Sequence, residues 1–265
     1  MPNKYLNKLH GKRVLVIGGT SGIGFAVAEA SVEYGAIVVV ASSTQEKIKK
    51  TIARIQASYP EAGDRIRGHR VDLASDDVES QVKTLLEFAT DGGQHKLDHV
   101  VDTAGDAIHL VTVKEADAGT FAQAGRVRIV GAVILAKYAT EYINVSSTSS
   151  LTITGGVNTS KPNDNWSIAA GVGAAKEGLT RGLARDLRPI RVNLVSPGAV
   201  NTELFEGFAK KMNLSVDQVL ASYREKTLTG TVGTPEDLAE SYLYLMKNSF
   251  VTGTITHAEG GYLLV

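Results

Sequence analysis

Val14-Leu15-Val16-Ile17 runs into Gly18-Gly19-Thr20-Ser21-Gly22-Ile23-Gly24, and the chain then continues apolar through Phe25-Ala26-Val27-Ala28. The first four residues are apolar on both faces, as in a strand buried inside a parallel sheet. The turn that follows needs residues without side chains, so that backbone amides can approach a pyrophosphate while the next helix turns its N-terminus toward the same charge. A glycine-rich loop alone carries little information. Placed after a strand and opening a helix, it is a dinucleotide-binding signal.

Outward from this point the same alternation repeats. Short, β-branched runs at Ile37–Ala41, Ile66–Val71, Leu97–Asp102, Leu151–Thr154, Val192–Ser196 and Thr254–His257 read as six further strands. Helical spacing separates them at Ile23–Tyr34, Gln45–Ser58, Asp77–Thr90, Ala116–Tyr142, Ile168–Leu187 and Pro235–Met246. Parallel neighbours need crossovers, and both faces of the sheet need cover. The fold class is therefore α/β, a doubly wound parallel sheet of about seven strands with helices on both faces, a Rossmann fold. No repeat or linker divides residues 1–265, so one domain is expected, with a polar excursion at about 202–232 placed at the carboxyl edge where ligands bind.

Composition narrows the function. The chain has 265 residues with 28 Lys+Arg against 28 Asp+Glu, so its net charge is zero and it offers no broad electrostatic footprint for nucleic acid or an anionic membrane. There is no cysteine, which removes disulfides and thiolate chemistry. No apolar run approaches the ~18 residues of a membrane span, and Met1–Arg13 lacks the apolar core of a secretory signal. A cytoplasmic protein is expected. The histidines show no metal-ligand spacing, so no metal site is expected; Asp106 and His109, after the fourth strand, are candidates for a polar loop at the substrate mouth.

The second strand should end beside an adenosine ribose. An acidic residue there would hold the 2′-hydroxyl of NAD, but the sequence offers Ala41, Ser42, Ser43 and Thr44, with Lys47 one turn on. Neutral donors without a carboxylate tolerate a 2′-phosphate, which favours NADP(H). Ser42 and Thr44 also suit the cap of the next helix, and both roles are compatible.

On these residues the chain resembles the short-chain dehydrogenase/reductase family over nearly its whole length. Gly18, Thr20, Ser21, Gly22, Ile23 and Gly24 match its cofactor loop. Asp72 and Leu73 match the residues that hold adenine, and Ala104 and Gly105 close a motif written here Asp102-Thr103-Ala104-Gly105. Pro197 and Gly198, followed by Thr202, match the segment that covers the nicotinamide. The resemblance implies oxidoreduction of a small-molecule substrate, and pairing of copies through the fourth and fifth helices.

It also implies a serine, a tyrosine, a lysine and an asparagine in register, with the tyrosine as proton donor. Alignment on the flanking residues puts Gly155 and Gly156 at the serine, Ala169 at the tyrosine, Gly173 at the lysine and Arg128 at the asparagine. Lys176 lies nearly one helical turn past the lysine position and does not replace it. Three readings follow: a silent cofactor-binding regulator, a carbonyl reductase with another acid, or a reductase of an iminium carbon, which needs no proton donor.

Lys161-Pro162-Asn163-Asp164-Asn165-Trp166 precedes the helix that borders the nicotinamide in this family. Asp164 suits a cation, Trp166 can offer a ring face to one, and Arg128 suits an amide carbonyl. The bland alternative is that Asp164 or Asn165 caps the helix and Trp166 packs in the core. The pattern is similar to fungal short-chain reductases of indole-alkaloid pathways that act as reductase/Diels–Alderases on prenylated diketopiperazine-type intermediates. Those use an arginine, an aspartate and a tryptophan at these places, the aspartate three residues before the tryptophan. Here that position is Asn163, with Asp164 one step later.

Overall fold

The computed structural model describes residues 3–106, 110–211 and 213–265. Seven strands form one parallel sheet: β1 Arg13–Ile17, β2 Ile37–Ser42, β3 Ile66–Arg70, β4 His99–Asp102, β5 Ser150–Thr154, β6 Arg191–Pro197 and β7 Ile255–Ala258, in the order β3-β2-β1-β4-β5-β6-β7. Order reverses beside β1, so a crevice opens at its carboxyl end between β1 and β4, where the glycine loop lies.

Side chains alternate across β1 as the pleat requires. Val14 and Val16 pack with α1 (Gly22–Glu33), α2 (Gln45–Ser58) and α9 (Pro235–Lys247). Leu15 and Ile17 pack on the opposite face with α3 (Val78–Ala89), α5 (Gly131–Tyr142) and α6 (Ser167–Asp186). Two apolar cores therefore sandwich the sheet. Because every strand is parallel, Ile17, Ser42, Asp102, Thr154 and Pro197 all fall on one edge.

Two regions differ from the sequence reading. Ala116–Tyr142 is not one helix: α4 spans Thr120–Gly125, a π-turn occupies Arg126–Val130, and α5 begins at Gly131. Gly119, Gly125 and Gly131 weaken a continuous helix, and the β-branched residues Val127, Ile129 and Val130 crowd its middle. The excursion folds into α7 (Glu203–Lys211) and α8 (Val216–Arg224), which meet through Phe205 and Tyr223, ring centroids 5.3 Å apart at 70°.

Candidate active site

At the β1 turn, Gly18 has φ +78°, and a Cβ on it would stand 2.7 Å from Thr103 Oγ1. A Cβ on Gly24 would collide with the Gly18 carbonyl and with the same Thr103 hydroxyl. Glycine is required here by close approach between two loops, one from β1 and one from β4. Ser21 occupies the N-cap of α1 without a side-chain capping bond, which leaves the first amides of that helix to meet an anion.

At the end of β2, Thr20 Oγ1 donates to Ser42 Oγ at 3.0 Å. Thr44 holds the N-cap of α2 but makes no side-chain bond there, so neither serine nor threonine acts as that helix's side-chain cap. Ser43 is exposed, and its carbonyl accepts from Arg70 Nε at 2.9 Å. Sequence reasoning missed Arg70, because only pairing of β2 with β3 brings it opposite Ser42. Asp72 Oδ1 accepts from the Ala74 amide at 3.0 Å, and Leu73 is buried beneath it.

Beyond the nucleotide end lies a cavity of about 220 Å³. Ile23, Pro197, Gly198 and Thr202 line its cofactor side, and Leu204, Phe205 and Tyr223 come from α7 and α8. Gly155, Gly156, Ala169 and Gly173 also line it. These four positions present no functional side chain, and a Cβ on Gly173 would collide with Thr159 Oγ1.

The predicted segment divides at the cavity wall. Asn163 and Trp166 line it, with Trp166 partly buried at the N-cap of α6, and a side-chain hydrogen bond joins Asn163 to Tyr223. Asp164 is exposed and is not among the lining residues. Neither Asp164 nor Asn165 caps α6, which makes no side-chain capping bond at all; Asn165 instead takes φ +63° and turns the chain. Arg128 lines the cavity, but its guanidinium is held by Asp106, with Nε 3.2 Å from Oδ1 and Nη2 donating to the backbone carbonyl. It lies so close over Gly105 that a Cβ there would stand 2.7 Å from Nη1. His109 falls outside the described residues.

The structure adds a residue that the sequence reading set aside. Lys176 lines the cavity from α6 and is only 2% exposed. Burial lowers its pKa to about 8, against the opposing pull of Asp102. Asp102, also fully buried, is raised by burial and lowered by Lys176, by its bond from the Ala104 amide (3.0 Å) and by Arg128. Lys176 Nζ and Asp102 Oδ2 have no hydrogen-bond partner among the described residues. The available signal was helical spacing: Val172, Lys176 and Thr180 form the buried stripe of α6, and a lysine there faces inward. Tyr223 and Tyr262 also line the cavity and were missed, since both arrive from segments distant in sequence. Burial raises the Tyr223 pKa.

The SDR-like Rossmann domain family matches residues 5–265. The chain is 43% identical over 266 residues to the short-chain dehydrogenase/reductase ucsE of Acremonium sp, covering all of both chains. It is 36% identical to malC of Malbranchea aurantiaca, covering 97% of this chain and 96% of that one. A solved structure of the MalC reductase/Diels-Alderase from the same organism superposes with a TM-score of 0.90 at 35% identity, covering 99% of this chain and all of that one.

Proposed function

The chain belongs to the short-chain dehydrogenase/reductase family, and from that premise we propose that it is an NADPH-dependent reductase of an iminium-type prenylated indole alkaloid intermediate, whose cavity also guides an intramolecular Diels–Alder cycloaddition. As a member of that family it is an oxidoreductase of nicotinamide-cofactor fold, and its residues fit the cofactor. The open α1 N-terminus suits a pyrophosphate, with Gly18, Gly22 and Gly24 keeping the loop close. Asp72 and Leu73 suit the adenine, and Ala104, Gly105, Pro197, Gly198 and Thr202 suit the nicotinamide end. When bound, the reduced nicotinamide supplies a hydride.

NADPH is favoured over NADH by the chemistry at the end of β2. Ser42 and Ser43 carry no charge there, while Arg70 reaches the same edge and Lys47 follows in the first turn of α2. An arginine beside a neutral loop suits a 2′-phosphate through charge-assisted bonds.

The observation that carries the substrate reading is the cavity wall. The three places where a carbonyl-reducing relative would present serine, tyrosine and lysine hold only glycine or alanine here, while Trp166, a ring suited to cation–π attraction, lines the same wall. Phe205, Leu204 and Tyr223 suit an apolar, prenylated body. A cycloaddition in such a cavity would draw on orientation, which supplies up to about 7–11 kcal/mol in favourable intramolecular cases. The resemblance to a reductase/Diels-Alderase supports this second step.

A second reading, an atypical carbonyl reductase, is favoured by one observation: Lys161, Lys176, Tyr223 and Tyr262 place proton-bearing groups in the wall. The deciding experiment follows NADPH consumption with a prenylated diketopiperazine-derived imine and with matched ketones, with product mass and chirality. Imine turnover with a single cycloadduct enantiomer supports the proposal. Ketone turnover alone supports the second reading. Binding of NADPH without oxidation by either substrate leaves a regulator, and failure to bind NADPH overturns all three.

A further inference from the structure

An imine is a poor hydride acceptor until its nitrogen is protonated. Asn163 lines the cavity and has no acidic proton, Asp164 is exposed outside it, and Arg128 is held by Asp106. The wall nevertheless contains two lysines: Lys161 Nζ is spent on the Tyr262 and Val265 carbonyls, and the Tyr223 side chain is hydrogen-bonded to Asn163, whereas Lys176 Nζ has no hydrogen-bond partner among the described residues. Resting on the imine-reductase reading above, we propose that Lys176 is the general acid of this site, giving its proton to the substrate nitrogen so that the iminium forms inside the cavity.

Burial and two charged neighbours set the state of Lys176. Asp102 faces it from the end of β4 and favours the ammonium; Arg128, from the π-turn, opposes it. Tyr242 of α9, held by Thr154 whose Oγ1 lies 2.7 Å from the phenol oxygen, feels the charge of Asp102 and stays a neutral phenol because burial raises its pKa. Burial is the largest effect and brings Lys176 to about 8, so the group is charged at neutral pH yet gives up its proton readily. An ordinary lysine, near 10.4, is a far weaker acid.

The step balances in atoms and charge. One N–H bond of the ammonium breaks and its electron pair stays on Nζ. The imine nitrogen lone pair forms the new N–H bond. With a hydride supplied to the adjacent carbon by a bound reduced nicotinamide, the π pair would return to nitrogen, leaving an amine and a neutral Lys176 that regains a proton from solvent. Charge is moved rather than duplicated. The iminium never faces a lysine cation.

The test compares a neutral cyclic imine with its N-methyl iminium salt, which needs no proton. In Lys176→Met, kcat/KM for the neutral imine at pH 8 should fall about 100-fold, the scale of a lost general acid, while the N-methyl iminium stays within about threefold. Turnover of the iminium also reports that the variant is folded, and Lys176→Gln repeats the comparison with a polar side chain. A readout independent of turnover is lysine 13Cε NMR of the cofactor-free protein, in which one resonance should titrate near pH 8 and vanish in Lys176→Met. Equal losses on both substrates, no loss on either, or no lysine titrating below pH 9 overturns the proposal. If wild-type protein reduces neither substrate, the imine-reductase reading falls first and the role of Lys176 falls with it.

Discussion

Arg70 Nε donates to the Ser43 carbonyl at 2.9 Å, so a guanidinium from β3 stands across the end of β2. Ser42, occupied by Thr20, and Ser43 bring no charge to that edge, and Lys47 follows only in the first turn of α2. Removing the cation should therefore cost 2′-phosphate recognition and little else. Arg70→Ala is expected to weaken NADPH binding about tenfold, equivalent to about 1.4 kcal/mol, with NADH affinity unchanged, as read by fluorescence titration. Equal weakening of both cofactors would place Arg70 in loop structure instead.

Gly24 shows how little room the cofactor loop has. Its Cβ would meet the Gly18 carbonyl and Thr103 Oγ1, and that hydroxyl is already committed to the Ile17 carbonyl at 2.8 Å. Neither group can swing away without breaking the approach of the β1 and β4 loops. Gly24→Ala should lose about 1–3 kcal/mol in urea unfolding and bind NADPH more weakly. A variant of unchanged stability would show that the loops part easily.

The sheet was legible because its signal is local. β-branched runs bounded by glycine and polar turns marked seven strands to within about two residues, and the Gly18 to Gly24 loop marked the crevice. The side chains of the cavity were only partly legible. Arg128, Asn163 and Trp166 lie in its wall, but Asp164 points away, because Asn165 in a left-handed conformation turns the chain between them. Lys176 was set aside and Arg70 missed for a shared reason. Each acquires meaning from a partner on another element, Asp102 across 74 positions and Ser43 across 27, and spacing along one helix or strand carries no record of such pairing.

His99, on β4, is 2% exposed, its Nδ1 lying 2.9 Å from Ser150 Oγ, and burial lowers its pKa to about 3. In the unfolded chain it returns to about 6.5. The unfolded state therefore binds an extra proton below that value, so the stabilisation is full above about pH 6.5 and is lost progressively as pH falls toward 3. Between pH 6.5 and 5 this one group should remove about 1.6 kcal/mol. Urea unfolding at the two pH values should show that loss in wild type and a smaller one in His99→Gln, whatever that variant's absolute stability. Identical losses would mean that His99 is protonated in the folded protein.

Trp166 and Asp164 are two residues apart yet should behave differently. Trp166→Leu keeps an apolar side chain but removes the ring face, which is worth about 0.5–2 kcal/mol to a cation, so imine reduction should slow about tenfold with NADPH affinity intact. Asp164→Ala, outside the cavity, should stay within about twofold. If Asp164→Ala slows the reaction as much as Trp166→Leu, the carboxylate swings inward in the complex.

Asn163 occupies the place from which a carboxyl group would face the substrate, and its amide is bonded to Tyr223. If Lys176 supplies the proton, an acid at 163 is unnecessary in the native protein but sufficient when Lys176 is removed. Asn163→Asp added to Lys176→Met should restore at least about tenfold of the lost neutral-imine reduction. The recovered activity should also change its pH dependence. A carboxylic acid donates only while protonated, near and below its own pKa of about 4, so the rescued rate should rise toward pH 5 and fade by pH 8, where native Lys176 still works. Rescue with the native pH profile would show that the new carboxylate acts by binding the cation rather than by giving it a proton. Absence of rescue at any pH, with N-methyl iminium turnover retained, would show that position 163 cannot reach the nitrogen that Lys176 protonates.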